Sequence, residues 1–246
     1  MKSLGLAVIP FNEEKHIEKV LNSVPFATQK IVVDSFSADK TVELATNCGA
    51  KVIQQKWLGY SKQKQLCLEQ LSTDWVLVLD GDEWLSDELQ KEIQNLLECD
   101  IIQDGYYLKR HQVFLNRELK HGRGVDRQLR LIRRGKGKYN DREIHEEIIV
   151  QGSVGELDNH IIHHSSLTIS DELEKLHRDT DIELKYFNSD PITFSNLFLK
   201  PILFWFVMFF KGTWRDGLPG IIFLTMTAYK YFILGAKKYE QDLGIK

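Results

Sequence analysis

The sequence predicts an α/β protein with a mostly parallel sheet, followed by a helical, apolar carboxyl-terminal region. Three observations carry this. Short apolar runs (Leu6 to Ile9, Lys30 to Val33, Lys51 to Ile53, Val76 to Leu79) alternate with segments of helical periodicity. The runs end in polar clusters, above all Asp80-Gly81-Asp82-Glu83. The last third changes material, with two long apolar stretches flanking a polar hinge.

The first strand, Leu6 to Ile9, is ended by Pro10, and the run from Leu4 is too short for a signal peptide. The next helix carries Ile17, Val20, Leu21 and Val24 at helical spacing, with Glu13 and Glu14 expected in its first turn. Strand two ends at Asp34-Ser35. Ser37 is the expected N-cap of a helix through Thr41, Leu44 and Cys48, which Gly49 stops. After the third strand, residues 60 to 71 read as a helix with Lys62 and Lys64 near its start. Val76 to Leu79 reads as a strand covered on both faces. Ser86 caps another helix, with Asp87 and Glu88 in its first turn and Leu89, Ile93, Leu96 and Leu97 buried. This order implies right-handed crossovers, with ligands at the carboxyl ends of the strands. There Gly81 permits a sharp turn between two acids suited to a hard divalent cation. A helix-capping acidic turn is the plainer reading of Asp-x-Asp alone.

Composition narrows the function classes. The 246 residues suffice for one domain plus an appendage, and 43% hydrophobic with 27% charged residues is ordinary for a folded protein. A net charge of −3 gives no basic footprint, so nucleic acid is disfavoured as a partner. Cys48, Cys67 and Cys99 lie far apart, without metal spacing or an even count, which fits a reducing cytoplasm rather than a disulfide framework.

Two further strand tips are polar: Pro10-Phe11-Asn12-Glu13, and Asp34 through Asp39. Phe11 offers a flat wall for a base, and Asp34 and Asp39 offer acceptors for a base edge or ribose. Each alone reads as a cap or turn; on successive parallel strands they converge on one crevice. Together, Pro10-Phe11-Asn12-Glu13, Val33-Asp34-Ser35-x-Ser37-x-Asp39-x-Thr41 and Leu79-Asp80-Gly81-Asp82-Glu83 resemble the family-2 inverting glycosyltransferases of GT-A fold. The downstream pattern is similar to the branch containing lipopolysaccharide core β-glucosyltransferases of Gram-negative bacteria. The resemblance implies a UDP-sugar donor, with glucose as the sugar, and transfer with inversion to a lipid-linked inner-core saccharide. It implies a divalent cation, Mg²⁺ or Mn²⁺, and an enzyme at the cytoplasmic face of the inner membrane. By the same resemblance Asp80 and Asp82 hold the metal and diphosphate. Pro10, Phe11, Asn12, Glu13, Asp34, Ser37, Asp39 and Lys64 seat the nucleoside.

In the middle of the chain, residues 105 to 116 alternate as an antiparallel strand pair, and His121-Gly122-Arg123-Gly124 reads as a flexible turn. The resemblance places that turn near the donor sugar. Residues 127 to 134 form a strand with four arginines, either a solvated edge or a wall that presents Arg130 to a diphosphate. Arg123 and Arg127 are further candidates for that role. Glycosyl transfer by direct displacement needs a carboxylate to take the acceptor's proton, and Glu146 and Glu147 stand where the family carries its acid. Alternation along a strand lets only one of them face the site. Similarity within the branch favours Glu146, while many relatives carry Glu-Asp here, which leaves Glu147 open. His145 either supports Glu146 or is structural. His163 falls where the branch carries a metal-binding histidine, with His164 as the alternative, and an imidazole suits Mn²⁺ over Mg²⁺.

A division follows: a catalytic domain at 1–168 and a helical region at 169–246. The latter opens with a helix from Ser170 whose stripe is Leu173, Leu176, Thr180, Leu184 and Phe187. Leu197 to Phe210 and Leu218 to Leu234 are apolar, but Lys200 and Lys230 interrupt them short of the about 20 residues a spanning helix needs. Trp205, Trp214, Tyr229 and Tyr231, with Lys211, Arg215, Lys237 and Lys238, suit helices lying in one leaflet. A buried hairpin or dimer contact is the other reading; the amount of apolar surface favours the membrane. Rival functions are transfer to a polyprenyl phosphate, nucleotidyl transfer, and a non-catalytic membrane-interaction protein. Pro10 to Glu14 is not the glycine- and arginine-rich loop that nucleotidyl transfer needs. The glycosyltransferase reading requires Asp82 and Glu146 to open onto one pocket.

Overall fold

A computed structural model describes residues 2–140, 146–166, 168–186 and 192–245. It contains two compact units, Met1–Arg110 with Arg127–His163, and His111–Asp126 with His164–Lys246. His145 and Phe187 lie outside the described residues.

The first unit begins with β1 (Leu4–Ile9), α1 (Ile17–Asn22), β2 (Gln29–Asp34), α2 (Thr41–Asn47), β3 (Lys51–Gln54), α3 (Tyr60–Glu69) and β4 (Trp75–Asp80). There follow β5 (Glu83–Leu85), α4 (Asp87–Glu98) and β6 (Gly105–Phe114), then, after β7 (Arg117–Glu118), β8 (Val125–Arg133), β9 (Gly137–Tyr139), β10 (Ile148–Val150) and β11 (Val154–Ser166). Among the described residues the main sheet runs β3-β2-β1-β4-β8-β6-β11-β5, and β9 and β10 form a separate antiparallel pair. Strands β3, β2, β1 and β4 are mutually parallel; β8 joins β4 antiparallel, Leu77 opposite Leu131.

Period-two alternation assigns the two faces of this sheet. Leu6, Val8, Leu77 and Leu79 pack on one side with Ile17, Val20, Leu21, Leu89, Ile93 and Leu97 of α1 and α4. Ala7, Ile9, Val76 and Val78 pack on the other with Cys67 and Leu68 of α3. Burial on both faces explains the unbroken apolar runs. Ser86 caps α4 as expected, its hydroxyl accepting from the Leu89 N–H at 3.2 Å.

Four local expectations are corrected. Ser37 is not a helix cap: α2 begins after Lys40, and Ser37 N–H donates to Asp34 at 2.9 Å. Glu13 and Glu14 precede α1, whose first-turn acid is Glu18. The arginine strand is no solvated edge, because β8 lies between β4 and β6. Glu83, expected in an acidic turn, instead begins the short strand β5, which pairs antiparallel with β11, Glu83 opposite His163.

In the second unit, the two-residue turn Leu115-Asn116 takes positive φ at both positions, 49° and 57°, as a hairpin between the end of β6 and β7 requires. A capping box of Thr168 and Asp171 opens α5 (Ile169–Leu184). A π-helical turn at Ser195–Leu199 leads into α6 (Lys200–Phe210), and a 3-10 turn at Thr213–Asp216 leads into α7 (Gly217–Asp242). Phe114, Leu119 and Phe223 form this unit's small core.

The turn at His121–Gly124, expected to be flexible, is pinned. The Asp216 carboxylate, 5% exposed, accepts from the Lys120 and His121 N–H groups at 3.0 Å and lies 2.8 Å from His121 Nδ1. Thr213 Oγ1 accepts from Arg123 N–H and donates to the Met208 carbonyl. Gly122 has φ +53°, and a Cβ there would lie 2.1 Å from Thr213 Oγ1, so only glycine fits.

The apolar hairpin also differs from expectation in length. The helical stretch Thr213–Asp242 is long and apolar enough, by length and composition, to cross a membrane, with 22% of its most apolar window buried. Lys230, the charge expected to interrupt it, lies 2.6 Å from Glu183 of α5.

Candidate active site

The tip of β4 is crowded by design of its sequence. A Cβ on Gly81 would lie 2.8 Å from Glu13 Cγ and 3.0 Å from the Pro10 backbone, so glycine alone lets the first strand tip approach the acidic turn. Just beyond, Glu83 is wholly buried. Its Oε2 accepts from the Asp80 N–H at 3.0 Å, and its Oε1 accepts from Arg110 and Arg130, each at 2.8 Å. The missed strand β5 therefore positions a buried carboxylate that fixes two arginines.

Arg130, on β8, also reaches Asp80 Oδ2 at 2.7 Å. Lys64, on α3 and 2% exposed, lies 2.8 Å from Asp80 Oδ1 and 2.8 Å from Glu146 Oε1. Burial opposes ionisation of Asp80, yet Arg130 and then Lys64 outweigh it and hold the carboxyl well below the usual carboxylate range. The same pairing works on the cations. Burial disfavours the charged Lys64 and Arg130, and Asp80 is the main group that restores and raises them.

A polar cavity of about 190 Å³ opens here, lined by Lys64, Arg130, Tyr139, Glu146, Glu147 and Tyr107 among others. Glu146 and Glu147 both face it, against the expectation that only one does. Both precede β10, which starts at Ile148, although the Glu147 carbonyl still accepts from the Asn140 N–H at 3.0 Å. Tyr139 is 5% exposed, and its hydroxyl finds no hydrogen-bond partner among the described residues. Such a buried donor costs about 1–3 kcal/mol left unmade. Burial pushes its phenol up to about 12, with Lys64 and Arg130 pulling the other way.

On the far side of Gly81, Asp82 Oδ2 lies 3.2 Å from His163 Nε2, held on β11 opposite Glu83. An oxygen and an imidazole nitrogen at this separation suit two positions on one divalent cation. His163 Nδ1 is buried without a partner among the described residues. Asp80 does not turn toward this pair; its carboxylate is taken by Lys64 and Arg130. Neither Asp82 nor His163 lines the cavity that holds Glu146, so the expected single pocket for Asp82 and Glu146 is not what this cavity shows; the acid tied to Glu146 through Lys64 is Asp80, two residues before Asp82.

The other two tips knit to each other. Asn12 N–H donates to Ser37 Oγ at 2.8 Å, and Asn12 Oδ1 accepts from Ala38 N–H at 2.8 Å. Glu13 N–H donates to Thr41 Oγ1 at 2.8 Å, and Asp39 accepts from Glu14 and Thr41 N–H groups. Asp34 is fully buried and holds Ser37. These residues build a bracket, and it leaves Phe11 57% and Phe36 52% exposed. Asn12 and Phe36 sit at φ 55° and 63°, a region asparagine tolerates and phenylalanine seldom adopts. Phe36 was not singled out from sequence; its neighbours' turn chemistry was the available signal. Lys64, expected with the nucleoside, stands instead between Asp80 and Glu146.

A family model described as Glycosyl transferase family 2 matches residues 6–153. The chain is similar to the lipopolysaccharide core biosynthesis glycosyltransferase LpsC of Rhizobium meliloti, 30% identical over 252 residues, which is 97% of this chain and 92% of that protein. An uncharacterized glycosyltransferase of Rickettsia typhi is 47% identical over 95 residues, 38% of this chain and 32% of that protein. Among solved structures, glucosyl-3-phosphoglycerate synthase from Mycobacterium tuberculosis, in complex with Mn²⁺, UDP-glucose and glycerol 3-phosphate, aligns at 25% identity and a TM-score of 0.37. That alignment covers 45% of this chain and 44% of the other.

Proposed function

The chain belongs to glycosyl transferase family 2 and is a glycosyltransferase, and from that we propose that it moves glucose from UDP-glucose, with inversion, to an inner-core saccharide of lipopolysaccharide at the cytoplasmic face of the inner membrane. The acceptor class rests on the likeness to LpsC, which runs over 97% of the chain. The observation that carries the chemistry is the shared contact of Lys64 with Asp80 and Glu146, 2.8 Å to each. It ties the acidic strand tip to a carboxylate facing the polar cavity.

In this reading the exposed rings of Phe11 and Phe36 flank the base, on the bracket built by Asn12, Glu13, Ser37 and Asp39. Glu146 accepts the proton of the attacking hydroxyl. Lys64 keeps that carboxylate aimed and counters its charge. Arg130, fixed by Glu83, faces the oxygens of the departing diphosphate. Asp82 and His163 would hold a divalent cation, Mg²⁺ or Mn²⁺, which when bound would supply charge that stabilises the leaving group. Glu147 lines the same cavity and is the second candidate base.

The region 169–246 is the proposed membrane-facing part. Ile202, Leu203, Phe206 and Phe210 of α6 are exposed, beside the exposed cations Lys200, Lys211 and Arg215. An apolar face rimmed by positive charge suits an anionic lipid surface, where a lipid-linked acceptor is met.

The test is transfer of labelled glucose from UDP-glucose to purified inner-core acceptor by Asp82→Asn and Glu146→Gln. Each is expected to lose at least about a hundredfold in rate while circular dichroism stays that of the wild type. Wild-type rates in both variants would remove the mechanism. Transfer to a polyprenyl phosphate instead of the saccharide would replace the acceptor.

A further inference from the structure

Two donors in the polar cavity have no acceptor among the described residues: the Tyr139 hydroxyl and Arg130 Nε–H. Both are buried, on residues that line one cavity with Lys64 and Glu146. Apart from Glu147, the neighbouring charged groups pair among themselves. Lys64, Arg130 and Arg110 meet Asp80, Glu83 and Glu146 within 2.8 Å. The carboxylates that line the cavity, Glu146 and Glu147, do not reach the two donors, which leaves both open to an acceptor from outside the chain. An anionic oxygen answers both donors better than a neutral one, since hydrogen bonds to ionised acceptors are the stronger kind. Tyr139 was not among the site residues expected from sequence, because a tyrosine in a short β-strand carries no chemical signature of its own.

We propose that Tyr139 is a substrate-binding residue, its hydroxyl donating to a phosphoryl oxygen of the nucleoside diphosphate beside Arg130. This rests on the glycosyltransferase reading above and adds to it the residue that grips the leaving group. A neutral donor holds that oxygen without adding a cation that would compete with Lys64 for Glu146. With its phenol pushed up to about 12, Tyr139 keeps its proton throughout the neutral range.

Tyr139→Phe removes one oxygen and keeps the ring that packs beside Ile148 and Ile132. Calorimetric titration of the full chain with UDP and with uridine, in buffer containing Mg²⁺, compares variant and wild type. The dissociation constant for UDP is expected to rise about tenfold, with that for uridine unchanged. The ligand-free melting temperature is expected to stay level or rise, because an unpaired buried hydroxyl has been removed. Equal UDP affinity in the two proteins overturns the proposal, and so does an equal loss for uridine. A lower ligand-free melting temperature also overturns it, since the hydroxyl would then have a structural partner. Wild-type protein that binds no UDP would sink the donor assignment itself, an outcome separate from any behaviour of the variant.

Discussion

Asp80 and Glu146, one at a strand tip and one just before β10, are held 2.8 Å from the same Lys64 ammonium. Both acids keep part of their side chain exposed, 26% and 18%, whereas the lysine is at 2%. The cation is thus the buried member, and the acids are oriented around it. Lys64→Met leaves Glu146 without a counter-charge and Asp80 with Arg130 alone, and is expected to cost roughly 3 kcal/mol. Urea unfolding measures it. Adding Glu146→Gln to Lys64→Met should recover part of that loss, because one uncompensated charge goes with it. A strictly additive double variant would show that the three groups do not act together.

Asp216 offers a second measurable contact. Its carboxylate is the acceptor for two backbone N–H groups of the His121 turn, and it lies against the His121 ring. Asp216→Ala strands these groups, and on the order of 2–4 kcal/mol of stability should be lost. Asp216→Asn keeps one acceptor oxygen and should lose less. Thermal unfolding of both variants gives the ranking; an alanine variant as stable as wild type would contradict the role.

Alkaline stability has a definite sign. Burial pushes the Cys67 thiol from 9.0 up to about 12, and the Tyr139 phenol from 10.0 up to about 12. Both groups are neutral when protonated. Between the ordinary and the raised values the folded chain therefore binds more protons than the unfolded one, and stability falls as pH rises above about 9. The slope is up to about 1.4 kcal/mol per pH unit for each group. Urea midpoints at pH 8 and pH 10.5 check this. Cys67 should also resist iodoacetamide in the folded protein while the exposed Cys99 reacts.

The membrane assignment is tested on α6. Leu203 is 64% exposed and Phe206 51% exposed, so Leu203→Glu with Phe206→Glu should leave folding intact. Co-sedimentation with vesicles of anionic phospholipid should drop at least about tenfold, since two apolar anchors are lost and two like charges added. Unchanged sedimentation would point to a hairpin buried against another protein surface.

The parallel half of the sheet was legible because its signals are local. Four apolar runs and the Ser86 cap specify strands and a helix within a few residues of themselves. Strand β5 was not, since three residues are too few for periodicity and a buried Glu83 looks like a turn acid. Within the site, Arg130 is readable by residue type, while Glu146 is singled out only through the family resemblance. Lys64 was placed with the nucleoside, because nothing near it in sequence shows that it meets Glu146. Ser37 suits a cap by the usual preference, but the Asp34 carboxylate competes for it and wins. Phe36 and Tyr139 carry no pattern at all, and only the fold exposes one and strands the hydroxyl of the other.

The antiparallel register of β4 and β8, with Leu77 opposite Leu131, has a bearing on how related chains can diverge. A slip by one residue would hand Leu131 to Asp80 and Glu83 and drive a guanidinium into the aliphatic interior. Insertions or deletions that shift this pairing are therefore lethal to the site even though every original amino acid is still present. Length variation in descendants should collect elsewhere, at exposed bends such as Gln151-Gly152-Ser153, while the spacing inside β8 stays frozen.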